Sequence, residues 1–213
     1  MSKPSLAKGL YLILTNPQNG YEALTRWAVQ VQLPAVQLRY KGHDENHLLE
    51  LAQKMRYLTT DSKTLFIIND RPDIALAANA DGVHVGQEDL SPREVRKIVG
   101  PKMVVGLSTH NLDQVIKANF EPIDYIGFGP LFHTTSKSNP DPVVGPQMLL
   151  KAYQNSKVPI VAIGGITMDR IRSIDLSVCN NVAVISAVSQ AHDPLKIMQT
   201  LNRIIQEYKT DAP

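Results

Sequence analysis

The residues of this chain whose types and spacing could do chemistry sit directly behind short apolar runs. The first set is Gln37-Leu38-Arg39-Tyr40-Lys41. Side chains of an extended segment alternate in direction, so Gln37, Arg39 and Lys41 share one face while Val36 and Leu38 take the other. An amide and a guanidinium turned toward a protein interior need partners. A structural ion pair would satisfy them. A phosphate or diphosphate would too, because Arg offers a planar fork and Lys a point charge. We read the pair as an anion site.

Carboxylates follow the next two apolar runs. Asp70 stands in Ile67-Ile68-Asn69-Asp70-Arg71, where it could equally be a turn or cap residue. The next unit reads Asp81-Gly82-Val83-His84-Val85-Gly86-Gln87-Glu88-Asp89. Two carboxylates on neighbouring loops, near two cations, suit Mg²⁺ bound jointly with a diphosphate, since Mg²⁺ keeps several waters and takes one or two protein carboxylates. Asp89 is taken as the partner of Asp70, although spacing also permits Glu88. His84 alternates with Val83 and Val85 and so faces inward. A hydrogen-bonded structural histidine and a catalytic one are both open there.

Further along, Gly106-Leu107-Ser108-Thr109-His110 places hydroxyls before a helix, where Thr109 is expected to cap. The stretch from Gly127 to Lys137 combines glycines, aromatics, Thr134-Thr135-Ser136 and a cation, which reads as a lid over a phosphorylated ligand. Gly164-Gly165 and Ile185-Ser186 close later apolar runs. A tight turn explains a lone Gly-Gly. Late in a repeating β-α chain, though, such backbone also suits a phosphate, which glycine lets approach the N–H groups.

The elements that must position these residues are legible in the alternation of the chain. Strand-length apolar runs are predicted at Leu10–Leu14, Ala35–Arg39, Leu65–Ile68, Gly82–Val85, Met103–Gly106, Tyr125–Gly127, Ile160–Ile163 and Val182–Ile185. Helical patterns lie at Tyr21–Gln32, Glu45–Leu58, Ile74–Ala78, Pro92–Val99, Leu112–Asn119, Pro146–Tyr153, Met168–Ile174 and Pro194–Tyr208. Asp44, Ser91 before Pro92, Asn111, Thr167 and Asp193 stand where N-caps belong. Strand-then-helix units give parallel pairing. An open doubly wound sheet is possible, but eight similar units without a break predict an α/β fold closed as a single (β/α)₈ TIM barrel over residues 1–213. The tail after Tyr208 is expected to fray.

Bulk properties narrow the function. With 22 basic and 20 acidic side chains the net charge is +2, far from the basic excess of a nucleic-acid binder, so no nucleic-acid partner is expected. Cys179, the one cysteine, cannot form an internal disulfide or a Cys-based zinc site and is expected as a half-buried spectator. The apolar run Leu10–Leu14 is too short for a signal core or a membrane span, so a cytoplasmic protein without a membrane partner is expected. Oligomeric state is not legible.

Taken in order, Gln37-Leu38-Arg39-Tyr40-Lys41, Asn69-Asp70-Arg71, Asp81 to Asp89, Gly106 to His110, Asp124 to Pro130, Thr134-Thr135-Ser136-Lys137 and Ile163-Gly164-Gly165-Ile166 resemble the thiamine-phosphate synthase family across most of the chain. The resemblance implies that hydroxymethylpyrimidine diphosphate loses pyrophosphate, by a dissociative route, to the nitrogen of hydroxyethylthiazole phosphate. It implies Mg²⁺ on Asp70 and Asp89. Arg39, Lys41, Lys137 and Ser108 are the implied catalytic set, the three cations facing the diphosphate. Gln37, Leu38, Tyr40 and Asn69 join them in the pyrimidine-diphosphate site. Thr134, Thr135 and Ser136 are implied to contact the thiazole phosphate, with Gly165, Ile185 and Ser186 doing so largely through backbone. Asn16 departs from the family, which often has an aspartate after strand one. The loop Ser138 to Pro142 and the turn Leu176 to Asn181 depart as well. A thiazole-phosphate tautomerase has no diphosphate to bind and does not need Arg39, Lys41, Asp70, Asp89 and Lys137 together. A non-catalytic sensor does not need the metal and leaving-group set. A metal-dependent phosphosugar epimerase would need histidines grouped with carboxylates, which the sequence does not offer.

Overall fold

Parallel strands buried on both faces need side chains that pack in both directions, and the strands here have them. The computed structural model describes residues 3–136 and 141–208. Strands β1 (Gly9–Leu14), β2 (Ala35–Leu38), β3 (Leu65–Asn69), β4 (Gly82–Val85), β5 (Val104–Thr109), β6 (Tyr125–Phe128), β7 (Ile160–Ala162) and β8 (Asn181–Val184) form a closed barrel in chain order. All pairs are parallel, and β8 returns to β1 through Gly9 opposite Asn181 and Leu12 opposite Val184. The helices are α1 (Tyr21–Gln30), α2 (Glu45–Thr59), α3 (Pro72–Ala77), α4 (Pro92–Val99), α5 (Leu112–Ala118), α6 (Met148–Asn155), α7 (Ser186–Ser189) and α8 (Pro194–Glu207). This is a (β/α)₈ TIM barrel.

Alternation along the strands divides the core in two. Leu10, Leu12, Leu14, Val36, Leu38, Phe66 and Ile68 point outward and pack with helix residues such as Leu24, Leu51 and Leu201. Tyr11, Ile13, Ala35, Ile67, Val104, Tyr125, Val161 and Ala183 fill the interior. Fully burying each large aliphatic side chain contributes roughly 1.5–3 kcal/mol, which makes the outer layer the dominant stabilising element.

The helix starts follow the expected capping chemistry. Asp44 accepts from His47 N, Asn111 from Gln114 N and Asp193 from Lys196 N, while Ser91 and Glu94 form a capping box with Pro92 in the first turn. Thr167 Oγ1 accepts from Arg170 N at 3.4 Å. The helix expected over Met168–Ile174 is a single 3₁₀ turn, Arg170–Ser173. Ser186–Ser189, which follows the strand expected over Val182–Ile185 and for which no helix was expected, is helical. Thr109 does not cap α5. It is buried, and its hydroxyl donates to the Gly127 carbonyl at 2.9 Å. Cys179 is more deeply buried than expected, at 4% exposure, and burial pushes its thiol up to about 12. The tail after Tyr208 lies outside the described residues. Among the described residues no helix is long and apolar enough to cross a membrane.

Two aspartates quoted in the family resemblance turn out to brace the end of the barrel where the strands begin. Asp81 Oδ2 accepts from Phe66 N at 2.8 Å and from Arg56 at 2.7 Å. Asp124 Oδ2 accepts from Val105 N at 2.8 Å and from Arg96 at 2.9 Å, and Lys3 pairs with its other oxygen. Each carboxylate ties a strand's backbone to a helix cation, and both stand away from the strand ends where chemistry belongs.

Candidate active site

The carboxyl ends of the strands open on a cavity of about 960 Å³, counting the space at its mouth. Its wall includes Gln37, Arg39, Asn69, Ser108, Thr134, Ser136, Gly165, Ile185 and Ser186, drawn from six strand ends and the loops that follow them. One barrel mouth thus gathers most of the residues expected to act.

The anionic side is built around Asp70. β3 ends at Asn69, and Asp70 turns the chain with φ +62°, a left-handed conformation that Asp tolerates better than most residues. Its N–H donates to the His84 carbonyl at 2.8 Å, which extends the β3–β4 pairing by one rung. Burial, and then the charge and hydrogen bond of Asp89, push the Asp70 carboxyl up to about 6, against the opposing pull of Lys41 and Arg39. These four side chains therefore share one electrostatic neighbourhood. Asp89 is held from the other side, where its Oδ2 accepts from Gly86 N at 2.7 Å. Spacing left Asp89 and Glu88 both open, and the geometry pairs Asp89 with Asp70. Arg39 is half-buried, with Nη1 3.4 Å from Thr15 Oγ1. Burial pulls its guanidinium down from the usual value, and Asp70 opposes that fall. Lys41 is exposed at the rim. Among the described residues no group of three or more His, Cys, Asp or Glu gathers as a metal cage.

The opposite side of the mouth is made of backbone. Gly164 has φ +101° and Gly165 φ +62°, and a Cβ on Gly165 would stand 2.4 Å from the His133 carbonyl oxygen and 2.9 Å from that of Phe132. Only glycine lets the β7 loop pass this close to the loop after β6. Ser186 begins α7 beside it, and the first N–H groups of a helix have no intrahelical partner. Thr134 Oγ1 accepts from Ser136 N at 3.2 Å, which folds the hydroxyl run over this corner.

Between the two sides lies a buried polar chain. Gln37 Nε2 donates to the Tyr11 hydroxyl at 2.9 Å, which is 2.8 Å from the Tyr125 hydroxyl. Tyr125 is 3.0 Å from His84 Nδ1, and His84 Nε2 is 2.9 Å from Ser108 Oγ. Burial raises both phenols above their ordinary range. Gly106 makes room for this chain, because a Cβ there would lie 2.2 Å from Tyr125 Cζ and 2.5 Å from His84 Nδ1.

Some expected site residues are placed elsewhere. The Leu38 side chain is 1% exposed in the outer layer, so only its backbone can serve the mouth. The Tyr40 ring lies 5.6 Å from that of His47 and packs with the outer layer rather than lining the cavity. Thr135 is exposed and outside the lining. Asn16 adopts φ +43° and exchanges hydrogen bonds with Tyr21, also away from the lining. Lys137 lies outside the described residues. Tyr11, Tyr125, His110 and Asp141, none of which is among the residues expected to act, also line the cavity. His110 Nδ1 is 2.7 Å from the Gly129 carbonyl and its Nε2 is 3.4 Å from Asp141, so it joins the end of β5 to the segments that follow β6. Inward alternation could have found Tyr11 and Tyr125. Nothing in spacing points to Asp141.

Residues 10–188 match the family model for thiamine monophosphate synthase. The chain is 41% identical over 180 residues to thiamine-phosphate synthase 1 of Aquifex aeolicus, covering 84% of this chain and 83% of that protein. It is 36% identical over 201 residues to the thiamine-phosphate synthase of Chlorobium phaeovibrioides, covering 94% and 96%. The solved thiamine phosphate pyrophosphorylase from Pyrococcus furiosus superposes with a TM-score of 0.82 at 32% identity, over 93% of this chain and 96% of that one. A barrel whose mouth sets a carboxylate pair and an arginine against a glycine-built corner, matched along this much of its length, belongs to the thiamine monophosphate synthase family.

Proposed function

We propose that this chain, a transferase of thiamine biosynthesis by its family, joins hydroxymethylpyrimidine diphosphate to hydroxyethylthiazole phosphate, giving thiamine phosphate and pyrophosphate. The observation that carries this reading is that Asp70 feels the charges of Asp89, Lys41 and Arg39, and that Arg39 lines a cavity whose wall also includes Gly165, Ile185 and Ser186. The first group suits a diphosphate. The second suits a monophosphate, through backbone N–H groups and the start of α7.

Asp70 and Asp89 fit Mg²⁺. A carboxyl pushed up to about 6 by burial and a neighbouring carboxylate is one that a divalent cation relieves, and Mg²⁺ needs only one or two such ligands when phosphate and water complete its shell. When bound there, the ion would neutralise charge on the diphosphate oxygens. Arg39 and Lys41 face the same charge, which grows as the bond from the pyrimidine methylene carbon to the diphosphate oxygen breaks. Lys137 is assigned to this set by its place in the sequence motif. Gln37, Asn69 and Ser108 orient the pyrimidine, and Thr134 and Ser136 hold the thiazole phosphate so that the ring nitrogen faces the same methylene carbon. The electron pair of the broken bond leaves with pyrophosphate, and the nitrogen lone pair forms the new bond. The apolar interior around Ile13, Val161 and Ile163 keeps water from the electron-poor carbon.

The direct test is an assay with both substrates and Mg²⁺ that follows pyrophosphate release and coupled product together. Stoichiometric release and coupling are expected. Isomerisation of the thiazole without coupling would assign the tautomerase activity instead, and neither reaction would leave a binding protein.

A further inference from the structure

We propose that Tyr11, Tyr125 and His84 are positioning residues that form a one-directional hydrogen-bond chain, fix His84 as its Nε2–H tautomer and turn the Ser108 hydroxyl into the cavity as a donor. The proposal deepens the synthase reading and rests on it for the identity of the ligand.

The hydrogens available to each group set the direction of the chain. Gln37 Nε2 donates to Tyr11, so the Tyr11 oxygen is already an acceptor and its single hydrogen goes to its remaining neighbour, Tyr125. Tyr125 then accepts from Tyr11 and has one hydrogen left, whose neighbour is His84 Nδ1. That nitrogen must be bare. A hydrogen on Nδ1 would leave the Tyr125 oxygen accepting twice and its own hydrogen without an acceptor, inside an interior where Tyr11 and Tyr125 are each 1% exposed. The neutral ring carries its hydrogen on Nε2, which donates to Ser108 Oγ at 2.9 Å. His84 is the one protein partner of that oxygen among the described residues, so the Ser108 hydrogen is directed to the cavity. At the other end, the Gln37 amide spends one N–H on Tyr11 and keeps its carbonyl oxygen and its second N–H, and the bond to Tyr11 fixes which side of the amide is which.

The two ends of the chain therefore offer opposite chemistry, a carbonyl acceptor on β2 and a hydroxyl donor on β5. A ring that matches them carries an exocyclic amino group for Gln37 and a bare ring nitrogen for Ser108. An oxo ring presents a carbonyl where the amino group would be, so it meets the Gln37 carbonyl oxygen unfavourably while the bond to Tyr11 holds the amide in this orientation. No single residue sets this preference, because reversing one link reverses every link. Gly106 belongs to the same device, since any side chain there would displace both Tyr125 and His84.

The test has two parts. In ligand-free protein with ¹⁵N-labelled histidine, long-range ¹H–¹⁵N spectra should show the His84 hydrogen on Nε2 with Nδ1 bare. The opposite tautomer would overturn the proposal, whatever the protein turns over. Second, competition between amino-substituted hydroxymethylpyrimidine diphosphate and its deaminated oxo counterpart should favour the amino compound. Tyr125→Phe should narrow that preference by about tenfold, the scale of one lost hydrogen bond, with the change carried by KM rather than kcat. Tyr11→Phe should act in the same direction and serves where Tyr125→Phe fails to fold. An unchanged preference in the folded variant would overturn the proposal. If the wild-type protein binds neither diphosphate, the synthase reading falls, while the spectra of the ligand-free protein still decide the chain.

Discussion

At the residue scale the site depends on a carboxylate that is unfavourable to ionise without a cation. Asp70 titrates at about 6 in the folded protein, above its ordinary 3.8. Between those values the folded chain holds a proton that the unfolded chain has released. Stability of the metal-free protein is therefore greatest at the acid end of this window, falls as pH rises through it, and has lost the whole contribution above about pH 6. Asn cannot ionise and tolerates the same left-handed backbone. In EDTA at pH 7.5, Asp70→Asn should be more stable than wild type by about 1–2 kcal/mol, a figure reduced for the partial exposure of the group. The two proteins should converge below about pH 4. Addition of Mg²⁺ with pyrophosphate should raise the melting temperature of wild type and leave that of the variant unmoved, while turnover of the variant falls by about 100-fold or more. Melting curves across pH, with and without the ion, measure all of this. A variant less stable than wild type at neutral pH would show that Asp70 is not held under electrostatic strain.

At the element scale the loops after β6 and β7 are locked to each other by what glycine lacks. In Gly165→Ala the new methyl would meet the His133 and Phe132 carbonyl oxygens, at 2.4 and 2.9 Å, with φ at +62°. Those obstacles are backbone and cannot swing aside. The variant should lose about 2–3 kcal/mol of stability and raise KM for the thiazole phosphate at least tenfold, with KM for the pyrimidine diphosphate changed far less. Steady-state kinetics with each substrate varied in turn would show it, and equal effects on both would mean that the glycine corner does not belong to one phosphate. Glycines at this position were legible because a turn with positive φ is a local demand, whereas the close approach to the Phe132 and His133 carbonyls was not. Strand order, the helix caps and the inward turn of Gln37 and Arg39 were legible for the same reason, since alternation and capping operate within a few residues. The 3₁₀ turn at Arg170–Ser173 and the helix Ser186–Ser189 were not, because segments of one turn carry too few residues to show a period. Asp89 could not be separated from Glu88 by spacing, since the distinction is made by Gly86 N–H and by Asp70 across a strand boundary. The chain from Gln37 to Ser108 links five strands, and no linear pattern announces it.

At the scale of the whole molecule the barrel separates stability from chemistry along its axis, and Asp124 tests that division. Its carboxylate accepts from Val105 N and Arg96 and pairs with Lys3, so one side chain ties the start of β5, helix α4 and the N-terminal segment together. That segment continues over the same end, where Leu6 packs against the interior cluster and the Ala7 carbonyl accepts from Asn181 Nδ2 at 2.6 Å. Asp124→Ala strands a buried N–H and removes the carboxylate from a guanidinium that is 17% exposed and otherwise held by backbone carbonyls. Losses of this kind cost about 2–3 kcal/mol, which for a domain of this length lowers the melting temperature by roughly 5–10 °C. Among the described residues Asp124 has no hydrogen bond or ion pair to a side chain that lines the cavity, and only its chain neighbour Tyr125 feels its charge there. Well below the melting transition, kcat and both KM values should therefore stay within about twofold of wild type, the reverse of the pattern expected for Asp70→Asn. Calorimetry paired with kinetics at one low temperature distinguishes the two. A large kinetic defect without loss of stability would mean that the two ends of the barrel are mechanically coupled, and Tyr125, which follows Asp124 directly and carries the hydrogen-bond chain inward, is the residue through which such coupling would have to pass.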